Sequence, residues 1–184
     1  MKKIDYFQII QKYLKPDSLA YYIYLPHVIL VTAKALKIAK RLKLDEKQLR
    51  FIEEAGMLHD IGIAKVKDEK LGLNGNSSYI SHIIEGEKIL EAEGLPKHAR
   101  IAKNHIGVGI SKEEIIERGL PLPQEDIFPE TLEEKIISYA DLFYSKSHGK
   151  FWQEKTFAEV KKEIAKFGQR HLIVLEEWHQ MFEN

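Results

Sequence analysis

The 184-residue chain has no cysteine. That excludes disulfides, thiolate metal sites and a cysteine nucleophile, and it is compatible with a reducing compartment. Nor is there a surplus of charge, since 28 lysines and arginines balance 28 aspartates and glutamates. With no net field to draw a nucleic-acid polymer or an anionic membrane, an anionic ligand must be held by a local site. No apolar run approaches the ~18 residues of a membrane span, and Met1-Lys2-Lys3-Ile4-Asp5 has no apolar segment behind its lysines. A cytoplasmic protein is expected. There is also no convincing strand pattern, no repeat and no low-complexity tract.

What is present is an ordinary globular composition, 44% hydrophobic and 30% charged, with apolar residues at helical spacing along most of the chain. Tyr6 to Leu14 reads as a short amphipathic helix that Pro16 ends, and Asp17 and Ser18 can cap a second segment. Pro26 is expected in the first turn of an apolar helix running to Leu42, where its missing amide needs no partner; His27 would share that turn. Asp45 with Gln48 forms a capping box, and the pattern recurs as Ser111 with Glu114, Thr131 with Glu134 and Thr156 with Glu159. Ala64 to Ser78 is loop-like and can hang over a site. Ser78 is expected to cap a helix ending at Gly94, with His82 in its second turn and Gly86 one turn later, leaving the imidazole unobstructed. Pro96 opens a helix that carries His105.

Around Glu53-Glu54-Ala55-Gly56-Met57-Leu58-His59-Asp60-Ile61-Gly62 the periodicity becomes chemistry. Leu49, Ile52, Gly56 and His59 share one helical stripe, so an imidazole stands where an aliphatic side chain is expected. Asp60 follows a quarter-turn on, and both side chains can reach one point off the helix end, a geometry that suits a metal ion. Gly62 supplies freedom to leave the helix. A histidine-aspartate pair alone is also what a satisfied core histidine looks like. The wider set is more telling: His27, His59, Asp60, His82, His105 and Asp141 all fall on inward or end-facing helix positions. Asp141 lies beside the stripe Ile137, Ala140 and Tyr144, where a carboxylate must be paired or metal-bound. Nitrogen and oxygen donors without sulfur fit iron, manganese, cobalt, nickel, zinc or magnesium.

In His27, Leu58-His59-Asp60-Ile61-Gly62 and Tyr139-Ala140-Asp141 the sequence resembles the HD-domain superfamily of metal-dependent phosphohydrolases. Ile80-Ser81-His82 and Asn104-His105-Ile106-Gly107 are similar to its two-metal branch. The resemblance covers about residues 20 to 150. It implies an all-α helical bundle; the first twenty residues and the region after Gly149 have no counterpart in it, and one domain over the whole chain is expected, with a helix from the first ~15 residues and C-terminal helices from about 155 to 183 packed on that core. It further implies one or two divalent ions held by the six residues above, with Asp60 bridging and His59 and Asp60 central to catalysis. The family's lysine directly after His-Asp-Ile-Gly is absent here, since Ile63 and Ala64 precede Lys65.

A metal-bound water has its pKa lowered from ~15.7 towards ~7, and two ions about 3.5 to 4 Å apart can hold both hydroxide and a phosphoryl oxygen. Phosphoryl transfer then needs positioning and charge neutralisation rather than a protein nucleophile. Lys65, Arg100, Lys103 and Lys146 are the candidates for holding phosphate, with Lys65 also placed in the catalytic set. Glu54 is a candidate to orient a ligand histidine. His98, His148, His171 and His179 read as surface or supporting residues. Tyr21, Tyr22, Tyr24, Phe143, Phe151 and Trp152 are aromatics that could stack on a base. The substrate expected is a nucleotide or another small phosphate ester, and a homodimer stays open. Two other classes share the pattern: a di-iron oxygenase, and a metal-stabilised module that binds a nucleotide without turnover.

Overall fold

The computed structural model describes residues 4–146 and 152–183, so His148 and Phe151 lie outside the described residues. The helices are α1 (Tyr6–Tyr13), α2 (Leu19–Arg41), α3 (Glu46–Leu58), α4 (His82–Ala92), α5 (Pro96–Asn104), α6 (Lys112–Glu117), α7 (Leu132–Asp141), α8 (Phe157–Ile164) and α9 (Gln169–Glu183). The fold is all-α, as the periodicity predicts. All four expected capping boxes form, at Asp45, Ser111, Thr131 and Thr156. Each satisfies otherwise orphaned amides and is worth about 1 kcal/mol. One short hairpin interrupts the helices: β1 (Lys67–Asp68) pairs antiparallel with β2 (Leu73–Asn74). Strands of two residues leave no alternation to read in the sequence.

α2 runs through the middle of the protein. Its C-terminal half packs Val31, Ala35 and Ile38 with Ile52 of α3, Ile136 and Ile137 of α7, Val160 of α8, and Leu175 and Phe182 of α9. Its N-terminal half packs Ile23, Tyr24 and Val28 with Ile10 of α1, Met57 and Leu58 of α3, and Leu90 of α4. His27 lies between the two clusters and is fully buried.

Several expectations are corrected. Pro26 does not open a helix but sits inside α2, which Ser18 caps upstream by accepting from the Tyr21 amide. Pro26 has no amide to donate one turn back, and the helix continues through it nonetheless. His27 is therefore mid-helix. Unbroken at Pro26, α2 is by length and composition long and apolar enough to cross a bilayer. That corrects the expectation that no such run exists; the residues of its inner face are those buried in the two clusters. The stretch from Ala64 to Ser78 is not a free loop: it starts in a 3-10 turn, Ile61–Lys65, and folds back so that the Asn76 and Ser77 amides donate to the Lys65 carbonyl. Ser78 makes no side-chain cap; a 3-10 turn, Tyr79–Ser81, intervenes and His82 is the first residue of α4. Gly62 serves close approach rather than a turn, because a Cβ there would lie 1.9 Å from the His82 carbonyl oxygen and 2.4 Å from the Gly86 nitrogen. Gly86 lets α4 meet the Ile61–Lys65 turn and Ala102, and clearing the imidazole is not its task.

Candidate metal centre

Six side chains from five helices meet at one point. His27 comes from the middle of α2, His59 caps the C-terminus of α3, and Asp60 follows it. His82 opens α4, His105 caps the end of α5, and Asp141 is the last residue of α7. Three helices thus present their C-terminal, partly negative ends to the same place, a field that favours a cation. His27 Nε2 is 3.0 Å from Asp141 Oδ1 and 3.8 Å from Asp60 Oδ2, and His59 Nε2 is 3.6 Å from Asp141 Oδ1. On the other side, His82 Nε2 and His105 Nε2 lie 3.4 and 3.7 Å from Asp60 Oδ1. Asp60 turns one oxygen to each group.

The hydrogen bonds fix the tautomers. His59, His82 and His105 each donate from Nδ1 to a carbonyl three residues back, on Gly56, Tyr79 and Ala102, at 2.7 Å. A carbonyl only accepts, so Nδ1 carries the hydrogen and each ring turns its Nε2 to the centre. The Nε2 atoms of His82 and His105 are 3.2 Å apart, close enough to share one cation. The Nε2 atoms of His27 and His59, Asp60 Oδ1 and Asp141 Oδ1 are buried without a hydrogen-bond partner, while Asp60 Oδ2 faces the Lys146 ammonium at 2.9 Å. Buried orphans at this density are costly unless a metal uses them. Two triads, His27-His59-Asp141 and His59-Asp60-His105, have ligand atoms all within 4.8 Å of one another. The donor set fits divalent metal ions.

Electrostatics agree. Burial, helped by Lys146, pushes His27 down to about 4 against the pull of Asp141 and Asp60. Burial likewise takes His82 to about 4. Both are neutral donors near pH 7. For His59 burial lowers the pKa, but Asp141 and Asp60 outweigh it and the net shift is upward. Burial would raise Asp60 and Asp141, yet Lys146 and the surrounding imidazoles hold both carboxylates well below their usual range.

Of the four candidate phosphate ligands, one reaches the centre. Lys146 Nζ is 2.9 Å from Asp60 Oδ2 with its side chain 14% exposed. Burial lowers its pKa, but Asp60, Tyr79 and Asp141 raise it well above the ordinary lysine value. The other three are engaged elsewhere. Lys65 is exposed and leans over the Tyr13 ring. Arg100 is bound by Glu134 and Glu130, and Lys103 by Glu87 and Glu125. Those glutamates arrive from other elements, so the sequence could not show that they claim the cations first.

Glu54 does not orient a metal-facing histidine, a part taken by backbone carbonyls. It is buried, accepts from the Ile4 amide and faces His98 Nε2 at 3.6 Å. His98 and His171 are buried rather than surface residues, the latter 3.1 Å from Glu114. His179 stacks on Phe157, and its Nδ1 is hydrogen-bonded to the Tyr139 hydroxyl at 2.6 Å. Tyr24 is buried and donates to the Met57 carbonyl, and Phe143 is buried under Lys34. Both belong to the core. Tyr79 was missed: its carbonyl holds His82, its ring lies 5.2 Å from that imidazole, and it adjoins Lys146. The available signal was its position three residues before a ligand histidine.

Residues 24–145 match the HD domain. The chain is 38% identical over 118 residues to an uncharacterised protein of Methanocaldococcus jannaschii, a match covering 62% of each chain. It is 33% identical over 120 residues to a tRNA (cytidine(56)-2'-O)-methyltransferase of Thermoplasma volcanium, covering 65% of this chain and 31% of that one. A protein of the same description from Picrophilus torridus is 34% identical over 116 residues, 62% of this chain and 29% of the relative. Each match spans less than two thirds of the relative's length.

Proposed function

This chain belongs to the HD-domain family, and from that premise we propose that it is a divalent-metal-dependent phosphohydrolase acting on a nucleotide or another small phosphate ester. The observation that carries the proposal is the division of Asp60, with Oδ2 towards His27 and Oδ1 towards His82 and His105. His27, His59, Asp141 and Asp60 Oδ2 would hold one ion; His82, His105 and Asp60 Oδ1 would hold a second. Bound there, divalent ions supply an acidified water and neutralise phosphoryl charge.

The chain's own groups supply the remainder. The three Nδ1 bonds to backbone carbonyls keep the imidazoles oriented, so little reorganisation is needed when ligands bind. Lys146 stands beside Asp60 with a permanent positive charge, placed to take a phosphoryl oxygen. Tyr79 backs both Lys146 and His82. The near-complete burial of His27, His59, Asp60 and His105 keeps bulk water out and the local dielectric low, which strengthens each charge interaction.

The test is metal analysis of protein purified without chelator, then a phosphate-release screen over nucleotides with manganese, iron, cobalt, nickel, zinc and magnesium. The tRNA methyltransferases among the relatives justify a tRNA arm in that screen. One or two equivalents of divalent metal with release from at least one nucleotide is expected. Full occupancy with no release from any phosphate ester would overturn the proposal, and dioxygen-dependent turnover by an iron-loaded protein would point to oxidation instead.

A further inference from the structure

One of the four capping boxes is built differently from the others. Gln48, Glu114 and Glu159 close theirs half-buried or exposed, whereas Glu134 is 2% exposed. A helix start can use water for its spare amides, so capping alone does not require burial. Glu134 is buried because it also reaches across to α5. Its Oε2 accepts from the Glu130 and Thr131 amides at 2.6 and 3.3 Å, which closes the start of α7, and from Asn104 Nδ2 at 3.3 Å. Its Oε1 accepts from Arg100 Nε at 3.0 Å. Four donors from two elements converge on one carboxylate.

The positions of these residues connect that carboxylate to the metal centre. Arg100 and Asn104 are one turn apart and share a face of α5, and Asn104 directly precedes His105. Glu134 and Asp141 are seven residues apart and share a face of α7, about 10 Å from each other along the axis. The last turn of α5, which presents His105, is therefore bonded to the helix that presents Asp141. The two helices also meet in the apolar cluster through Ile101, Ile136 and Ile137, but apolar contact is non-directional. A carboxylate bonded through both oxygens fixes slide and tilt together. A tilt of about 10° at this point would move a group about 10 Å away by roughly 2 Å. A ligand constellation tolerates about 0.5 Å.

We infer that Glu134 is a positioning residue: through Arg100 and Asn104 it holds the His105 end of α5 in register with α7, and so sets the separation between the His82-His105 and His27-His59-Asp141 groups. Ile136, Ile137, Tyr139 and Ala140 seat α7 in the core, each fully buried, so α5 is the part that yields when the link is cut. The inference rests on the two-ion reading of the centre and deepens it.

Manganese titration of the full chain, followed by electron paramagnetic resonance, tests this. Two Mn(II) ions about 3.5 to 4 Å apart give an exchange-coupled spectrum, and separated ions do not. The double substitution Arg100→Ala with Asn104→Ala cuts the link and leaves the α7 amides capped by Glu134. It should keep the first equivalent of manganese, bind the second about 10- to 100-fold more weakly, as when a group supporting a ligand is lost, and show isolated ions in place of the coupled pair. Asn104→Ala alone should shift the second affinity the same way. Thr131→Ala is the comparison for stability, since it removes the hydroxyl that accepts from the Glu134 amide at 3.2 Å and spares the bonds to α5. It should lower Tm and leave the second equivalent and the coupled spectrum as in wild type. Wild-type second affinity and coupling in the double variant would overturn the inference, as would equal weakening by Thr131→Ala. Wild type that binds one equivalent and shows no coupling would overturn the two-ion reading itself, a result seen before any variant is made.

Discussion

Asp60 is the side chain on which the centre turns, because it is fully buried and its two oxygens serve different imidazole groups. His59 belongs to both triads, so its removal should disturb both halves, whereas removal of His82 should leave the first intact. His59→Ala is expected to lose metal and turnover together, whereas His82→Ala should lose about one equivalent of metal, both read by elemental analysis. Equal metal in wild type and His59→Ala would remove the basis for the centre. Lys146→Met should keep its metal yet lower kcat by about 10²-fold, the scale seen when one preorganised donor to developing charge is lost. His179→Ala should leave metal unchanged and cost about 1 kcal/mol of stability, since it ends the Tyr139 hydrogen bond and the Phe157 stack. That these six side chains converge was legible in the sequence from their types and order along helices, taken as a set and not from the histidine-aspartate pair alone. Among the candidate cations Lys146 was not distinguishable, because its place depends on how the chain turns after α7, and the glutamates that bind Arg100 and Lys103 are remote in sequence.

At the scale of elements, the contact that sets one half of the centre is the approach of α4 to the Ile61–Lys65 turn. Gly62→Ala would force a Cβ against the His82 carbonyl and the Gly86 nitrogen. Backbone cannot yield as a side-chain tip can, so α4 must shift and carry His82 away from Asp60. The expected result is a loss of several kcal/mol in stability, at the large end for single substitutions, together with lost metal; a Tm and metal content like wild type would refute the role. Gly86→Ala meets Ala102 Cβ at 3.1 Å and the Gly62 nitrogen at 3.4 Å and should be milder. The helix starts were legible because capping boxes are local chemistry. The continuity of α2 through Pro26, and what Gly62 is for, were not, since both depend on neighbours brought from elsewhere. A second link joins α5 to α3 through His98 and Glu54. Burial lowers the His98 pKa despite the raising effect of Glu54, so the folded state favours the neutral ring. The unfolded chain, with an ordinary pKa near ~6.5, binds the proton first as pH falls. The stabilising contribution is thus present above pH ~6.5 and is lost below it, through the lowered folded value. Urea midpoints at pH 7 and pH 5 should fall further apart in wild type than in His98→Gln.

For the whole molecule, the centre is where two of the three apolar clusters meet: α2 joins them, and the C-terminal ends of α3, α5 and α7 are drawn together around His27. Folding therefore assembles a set of buried, mutually unsatisfied donors that no single element could hold. A ligand that binds only this assembled state stabilises it by mass action, by about 2.7 kcal/mol at a hundred times its dissociation constant. For a chain of this size each kcal/mol moves Tm by roughly 2–4 °C. Chelator should then lower the Tm of metal-loaded wild type by about 5 to 10 °C, and a divalent ion in excess should restore it. His59→Ala, already without its metal, should melt at one temperature with or without chelator. The α8–α9 region packs in the cluster of the C-terminal half of α2, apart from the one that holds the hairpin, so its contribution to Tm should add to that of the metal: Trp178→Ala is expected to lower Tm in wild type and in His59→Ala by the same amount. A chelator-insensitive wild type would mean that the imidazoles and carboxylates satisfy one another without an ion.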